Sequence, residues 1–218
     1  MEAGDQTGDD ERASHAKHGH GRIDTQGRHA AAVAVTVQSD DPVALAYGGF
    51  GLAFIAGRVP EGLTHTERAY AINPNSSRVL LTSGWVNFYA DRDEIAIDRI
   101  QRISRLSPID PELPFAHCCL AYCNFSLRRY EEGIAAGRRS IAEAPGLATG
   151  YRALIVNLVE AGRLEEAKGW MAALTRFSAD PTNSSMRPLL KSSAYRARYK
   201  SALRSAGAPG YDSDKADE

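Results

Sequence analysis

The stretch AYAINPNSS at residues 69–77 decides the fold of this chain, because it places Pro74 directly after a run of helix-forming residues. The same arrangement returns in RLSPIDPE, where Pro108 follows Pro74 by 34 residues. SIAEAPGLA adds Pro145, 37 residues further on, and FSADPTN adds Pro181 after another 36 residues. A period of about 34 residues is typical of repeat proteins whose unit is one pair of helices.

Each interval between these prolines contains a second turn. The turns read AGRVPEG, ADRDEIA, LRRYEEG and AGRLEEA, and each leads into one or two acidic residues. A glycine or a polar residue ends one helix, and the carboxylates favour the positive end of the next helix dipole. Asp91 and Arg128 stand where the other two turns have glycine. The predicted unit is therefore helix, short turn, helix and proline-marked turn.

With this period and these turns, the chain resembles a tetratricopeptide-repeat (TPR) protein, with units near residues 43–76, 77–110, 114–147 and 148–181. The resemblance implies an all-α fold, a right-handed α-solenoid of antiparallel helix pairs with about four TPR-like units. The match is carried by Gly57, Gly62, Ala69, Pro74, Gly84, Ala96, Pro108, Tyr130, Gly133, Pro145, Gly162, Ala167 and Leu174.

The repeat domain is expected to cover residues 29–206 and to end in a capping helix near 192–206. Residues 1–28 are polar and residues 207–218 are acidic, so both are expected to be disordered tails. HAAAVAVTVQSDDP at residues 29–42 is similar to the second helix of a preceding unit whose first helix is missing. That similarity suggests a truncated array.

Composition narrows the class of protein. The 218 residues carry a formal net charge of −1, which implies no general attraction to nucleic acid. Three cysteines form no disulfide framework, and the N-terminal sequence lacks the apolar core of a signal peptide. The longest apolar stretch, AAAVAV, is far shorter than the ~20 residues of a membrane span. A cytoplasmic protein is expected.

The glycines of YGGFG at residues 47–51 could form a phosphate-binding loop or allow two helices to touch. A dinucleotide-binding loop needs G-x-G-x-x-G after a strand, and the third glycine is missing here. Gly48, Gly49 and Gly51 also fall within the first helix of a predicted unit. We therefore interpret them as packing residues.

The TPR resemblance implies which side chains face the concave groove. Aromatic residues and arginine, the types that dominate binding hot spots, are frequent among them. A bare groove of this kind would exceed the apolar patch of a typical monomer, so we expect a protein segment or helix to cover it. The predicted groove residues are Tyr47, Phe54, Arg78, Trp85, Phe88, Tyr89, Phe115, Tyr122, Phe125 and Arg152.

Two alternatives to an open groove follow from the same pattern. Tight superhelical curvature could bury many of these rings as ordinary core. The groove could also be filled by the chain's own helix or by a second copy, so self-association belongs among the expected partners. No nucleic acid is clearly indicated.

No catalytic, cofactor-binding or metal-binding residues are predicted. Cys119 and Cys123 lie one helical turn apart beside His117, but a structural zinc site needs a second ligand pair. The histidines of the N-terminal tail, His15, His18 and His20, fit a solvated tail. The paired acids of the turns fit helix N-termini. Known catalytic motifs are missing, so the protein is not expected to be an enzyme.

Residues 186–206 combine six basic residues with an apolar stripe of Tyr195, Tyr199 and Leu203. This amphipathic helix could bind nucleic acid or an anionic membrane surface. We favour a helix that caps the last repeat and keeps its charges solvated, because one short helix makes a weak electrostatic footprint.

A narrower resemblance is carried by RYKSALRSAGAPG and by the turns NPNS and SPIDPE. These are similar to the C-terminal TPR regions of bacterial class III adenylate cyclases and of related winged-helix regulators. The resemblance covers about residues 30–210 and implies no cyclase activity. This resemblance gives an alternative to the scaffold hypothesis, namely that the protein is a detached fragment of such a regulator.

Overall fold

The computed structural model of the protein describes residues 40–178 and 191–209. The predicted tail at 1–28, the half unit before residue 40, the Pro181 turn and the end of the C-terminal tail lie outside these residues. The fold below is that of the described residues alone.

Nine α-helices and no strands make up the described residues. In chain order they are α1 (Pro42–Phe54), α2 (Val59–Ile72), α3 (Ser77–Tyr89), α4 (Asp93–Leu106), α5 (Leu113–Ser126), α6 (Tyr130–Glu143), α7 (Ala148–Glu160), α8 (Leu164–Thr175) and α9 (Ser193–Ser205).

The first eight helices form four antiparallel pairs, α1 with α2 through α7 with α8, joined by short turns. The first helix of each pair also contacts the first helix of the next pair, whereas the backbones of successive second helices lie farther apart. The first helices, α1, α3, α5 and α7, are therefore the inner layer of a solenoid and the second helices are its outer layer. The predicted all-α arrangement of antiparallel helix pairs is confirmed.

The turns inside the second, third and fourth pairs end their first helices in a common way. Asp91, Arg128 and Gly162 have positive φ angles of 58°, 60° and 77°. The next amide then donates back to a carbonyl five residues earlier, for example from Arg129 to Asn124 at 2.8 Å, as in a Schellman motif. The two non-glycine residues therefore take the left-handed conformation that glycine takes more cheaply.

Gly49 of the first helix is a packing residue, as predicted, and Gly48 and Gly51 are buried in the same helix. A Cβ atom at Gly49 would lie 2.7 Å from the carbonyl oxygen of Gly62, across the contact between α1 and α2. In the next pair a Cβ at Gly84 would overlap Ile100. Glycine at these places lets two helix backbones approach more closely than any other residue would allow.

Buried polar groups also tie the units together. Arg99 of α4 donates to Glu67 of α2 at 2.7 Å, and its guanidinium lies 3.5 Å from the centre of the Tyr70 ring. In α7, the side-chain amide of Asn157 donates to the Ala121 carbonyl of α5 at 3.0 Å. These bonds satisfy groups that would otherwise be costly to bury and so fix the register between neighbouring pairs.

Replacing Gly49 with alanine should lower the free energy of unfolding by about 1–3 kcal/mol, because the added methyl group has no room between α1 and α2. Gly169→Ala in α8 is the matched control, since a Cβ there meets nothing within 4 Å. It should raise stability by up to about 1 kcal/mol through helix propensity. Chemical denaturation of both variants measures the difference, and equal effects would contradict close packing at Gly49.

Arg128→Gly should raise the free energy of unfolding, by about 0.5–1 kcal/mol, because it removes an exposed side chain from a left-handed backbone position. The reverse change, Gly162→Ala, should lower it by about 1–2 kcal/mol although the new methyl group has open space. Thermal unfolding of the two variants tests this pair. A destabilised Arg128→Gly would show that the side chain, rather than the backbone angle, governs this turn.

Candidate functional site: the concave face

A continuous layer of aromatic rings lies along the inner helices α1, α3 and α5 and includes two rings of α9. We call it the aromatic layer. Its rings come from α1, α3, α5 and α9, and neighbouring ring centres lie between 5.3 and 6.4 Å apart. Its members are Phe50, Phe54, Trp85, Phe88, Tyr89, Tyr122, Phe125, Tyr195 and Tyr199.

The inner helices place these rings side by side because equivalent positions of successive units face the same way. Phe54 of α1 stacks on Tyr89 of α3 with ring centres 6.0 Å apart. Trp85 of α3 then contacts Tyr122 of α5 at 6.0 Å. Offset and edge-on ring pairs each add about 0.5–1.5 kcal/mol beyond the area they bury. The layer therefore stiffens the concave face as well as lining it.

Helix α9 lies against this layer and so occupies part of the concave face. The Tyr195 ring meets Phe88 of α3 edge-on at 5.7 Å and Phe125 of α5 at 5.3 Å. One turn later, Tyr199 contacts Tyr122 at 6.1 Å. The backbone of α9 also approaches α7. The helix thus spans units two to four, rather than covering the last unit alone as predicted.

Lys191, just before α9, enters an acidic pocket at the turn between α3 and α4. Its ammonium group lies 2.9 Å from both carboxylate oxygens of Asp93 and 3.0 Å from a carboxylate oxygen of Asp91. Its side chain is only 1% exposed, and the Phe88 ring centre is 4.5 Å away. Asp93 also accepts a hydrogen bond from Ser126 at 2.8 Å. We call Asp91 and Asp93 the acid pair.

Arg198 forms a second polar anchor of α9. Its guanidinium donates to the backbone carbonyl of Phe125 at 2.6 Å and lies 4.6 Å from the centre of the Phe125 ring. It also lies 3.7 Å from a carboxylate oxygen of Glu160, which accepts a hydrogen bond from the Tyr130 hydroxyl at 3.0 Å. Lys191 and Arg198 are therefore bound within the chain, which departs from the predicted cap with solvated charges.

The ten predicted groove residues differ in exposure. Tyr47 and Phe115 are each 46% exposed, and Arg78 is exposed with its guanidinium 3.8 Å from Glu112. Phe54 and Trp85 are half-buried. The rest are buried, in the aromatic layer or, for Arg152, in α7: Phe88, Tyr89, Tyr122, Phe125 and Arg152. Binding of a partner by these residues stays a prediction.

Sequence reasoning misses the acid pair and its bond to Lys191. The local pattern assigns Asp93 to helix-dipole stabilisation, and this residue does begin α4. Its partner, Lys191, lies 98 residues away along the chain, so no local sequence pattern predicts the contact. One signal is present in the sequence, because Asp91 replaces the turn glycine. An aspartate is strained in this left-handed backbone conformation, which indicates that its carboxylate makes a compensating interaction.

Burial shapes the ionisation of the groups around the aromatic layer. Desolvation raises the pKa of Tyr122 and of Tyr195 well above the ordinary value. It also raises the pKa of Cys118 and Cys119, so these thiols stay protonated and poorly nucleophilic at neutral pH. Together with Cys123 they are buried and free of disulfides. Among the described residues, no cluster of three histidine, cysteine or carboxylate side chains could hold a metal ion.

The histidine next to these cysteines has a structural partner. Nδ1 of His117 in α5 lies 2.8 Å from a carboxylate oxygen of Glu143 in α6. Some acids of the turns are paired across units. For example, Arg138 lowers the pKa of Glu166 by a hydrogen bond at 2.6 Å. None of the helices in residues 40–178 and 191–209 is long and apolar enough to cross a membrane.

Comparison with known proteins places the fold. No protein-family model matches the sequence, and no curated protein matches it. Solved structures do: "PilW, widely conserved type IV pilus biogenesis factor" is 16% identical, with a TM-score of 0.62 over 80% of this chain and 83% of PilW. A crystal structure of MamA protein is 18% identical, with a TM-score of 0.56 over 76% of this chain and 91% of MamA. The chain has the fold of a TPR-like α-solenoid.

Lys191→Met should lower the free energy of unfolding by roughly 3 kcal/mol, because it leaves the buried carboxylate of Asp93 without its counterion. The double variant Lys191→Met/Asp93→Asn should recover part of the loss, since no unpaired buried charge remains. Denaturant unfolding measures both, and amide hydrogen exchange in α9 locates the effect. If the single variant were as stable as wild type, the acid pair would not hold α9.

Proposed function

We propose that the protein is a non-enzymatic interaction scaffold that binds a helical segment of another protein in its concave aromatic groove. Helical solenoids present an extended concave surface for this purpose. The observation that carries the proposal is the position of α9. An amphipathic helix lies on the aromatic layer and is held there by two tyrosines spaced four residues apart.

The concave face extends beyond α9. Phe50, Phe54 and Trp85 are half-buried rings of the aromatic layer on units one and two. Their ring contacts are with each other and with α3 and α5, not with the tyrosines of α9. A partner helix has apolar and aromatic surface to cover at this end, and helix-in-groove binding depends on anchors of this kind.

The second candidate is a self-occluded regulatory module, in which α9 closes the groove until a signal releases it. The same contacts of Tyr195 and Lys191 favour it. The narrower hypothesis, a fragment of an adenylate cyclase-like or winged-helix regulator, stays a prediction, as does a cytoplasmic location. Binding of nucleic acid or membrane through residues 187–204 is less favoured, because Lys191 and Arg198 are bound within the chain.

The test is capture of partners from a native extract by three forms of the full chain. Phe54→Ser/Trp85→Ser alters two half-buried rings of the groove, while Ile95→Ser/Leu106→Ser alters two exposed apolar residues of the outer layer. We expect a partner that is held by wild type and by the outer-layer control and is lost, at least tenfold, with the groove variant. Circular dichroism must first show equal helix content.

A partner retained equally by all three folded forms would contradict binding in the groove. Capture of no partner in any form would favour the self-occluded alternative. In that case hydrogen exchange in α9 should show protection equal to that of α5 and α7, since a closed module keeps α9 seated.

A further inference from the structure

We infer that the groove selects a segment with one particular pattern, a lysine just before the start of a helix and aromatic residues four and eight positions after that lysine, and that Lys191 together with α9 is an internal copy of this ligand. Lys191, Tyr195 and Tyr199 have this spacing. The inference rests on the proposed function and deepens it, because it names the chemistry of the partner.

The acid pair belongs to the solenoid and not to α9. Asp93 is the first residue of α4, and the turn that carries Asp91 is fixed by its positive φ and by the bond from the Arg92 amide to the Asn87 carbonyl at 2.9 Å. Two carboxylates therefore meet at this turn whatever lies in the groove. A cation relieves the repulsion between the two carboxylates, so the acid pair favours an arriving ammonium group.

The pocket fits a lysine better than an arginine. Three carboxylate oxygens, two from Asp93 and one from Asp91, lie within 3.0 Å of the single atom Nζ of Lys191. The ring of Phe88 covers that atom from one side at 4.5 Å. A compact ammonium group satisfies this geometry with its three donors, whereas a guanidinium presents a planar fork that needs a broader site.

The aromatic subsites are also made by the solenoid. The ring of Tyr195 is met edge-on by Phe88 and Phe125, which belong to α3 and α5. The next subsite is formed by Tyr122 and Phe125, and Tyr199 occupies it. One helical turn separates the two subsites, so they accept aromatic residues four positions apart on one helix face.

α9 is held less extensively than the inner helices of the repeats. Only four of its thirteen residues are buried, Tyr195, Tyr199, Ala202 and Leu203, whereas ten of the thirteen residues of α3 are buried. Elements with few buried apolar contacts open at a lower free-energy cost than the core. A partner helix with the same anchors and a longer apolar stripe, reaching Trp85 and Phe54, would therefore displace α9.

The experiment measures binding of a fluorescent peptide, LKSSAYRARYKSALRSAGAP (residues 190–209), to the full chain. The receptor is the full-length Tyr195→Ser/Tyr199→Ser variant, in which α9 has lost its ring anchors and the groove is unchanged. We expect this receptor to bind the peptide at least tenfold more tightly than wild type does. Peptides with Lys191→Ala, or with Tyr195→Ala/Tyr199→Ala, should bind at least tenfold more weakly than the native peptide.

Equal binding of all three peptides would overturn the selectivity while leaving a general groove scaffold in place. If a folded receptor bound none of them, α9 would be a structural cap and the inference would fail. The capture experiment with Phe54→Ser/Trp85→Ser then decides the proposed function independently. If the wild-type protein were a dimer that dissociates when the tyrosines are replaced, the groove would bind a second copy of this chain. That result would overturn the inference of a separate partner.

If the double variant fails to fold, Lys191→Met serves as the receptor, because it removes the ionic anchor of α9 and retains the tyrosines that help the chain to fold. The native peptide should then bind this receptor at least tenfold more tightly than wild type. Asp93→Asn added to the receptor should weaken the preference of the groove for a peptide with lysine over one with methionine at position 191. An unchanged preference would show that the acid pair does not recognise the lysine of the peptide.

Discussion

The whole structure depends on one constraint: a pair of helices cannot bury its apolar face alone and must pack against the next pair. The contacts between successive inner helices satisfy this constraint. Within the pairs, small residues such as Gly49 and Gly84 allow α1 to lie close to α2 and α3 to lie close to α4. Once the inner helices are stacked, equivalent positions of each unit point to the same side. The aromatic layer is therefore a consequence of the repeat as much as a feature of any single helix.

Most of the fold could be predicted from local signals. Prolines 34 to 37 residues apart, and the turn glycines with their acidic neighbours, mark where helices end and begin, and these marks depend only on residues close in sequence. The deviations were visible too, since Asp91 and Arg128 stand in glycine's place and adopt its backbone conformation. The role of Gly49 also followed, because glycine weakens a helix interior and is tolerated there where a second backbone must pass close by.

The site could be predicted only in part. The positions of Trp85, Phe88 and Tyr122 on the inner layer follow from the period, but their exposure does not, because it depends on what else covers them. The covering element, α9, binds Asp93 through Lys191 across 98 residues of chain. Its approach to units two and three depends on three-dimensional packing that no pattern within one repeat can encode. For the same reason the buried state of Phe125 was not evident from its neighbours.

Asp91 illustrates how a single position can serve two opposed demands. Its left-handed backbone would be better served by glycine, yet its carboxylate completes the pair that holds the ammonium of Lys191. Averaging the four turns toward one idealised repeat would replace this residue, along with Arg128, by glycine. Such a redesigned array would relieve the backbone strain at both turns and lose charge recognition at one of them. The irregular turns of a repeat protein are therefore the places to look first for what distinguishes it from its consensus.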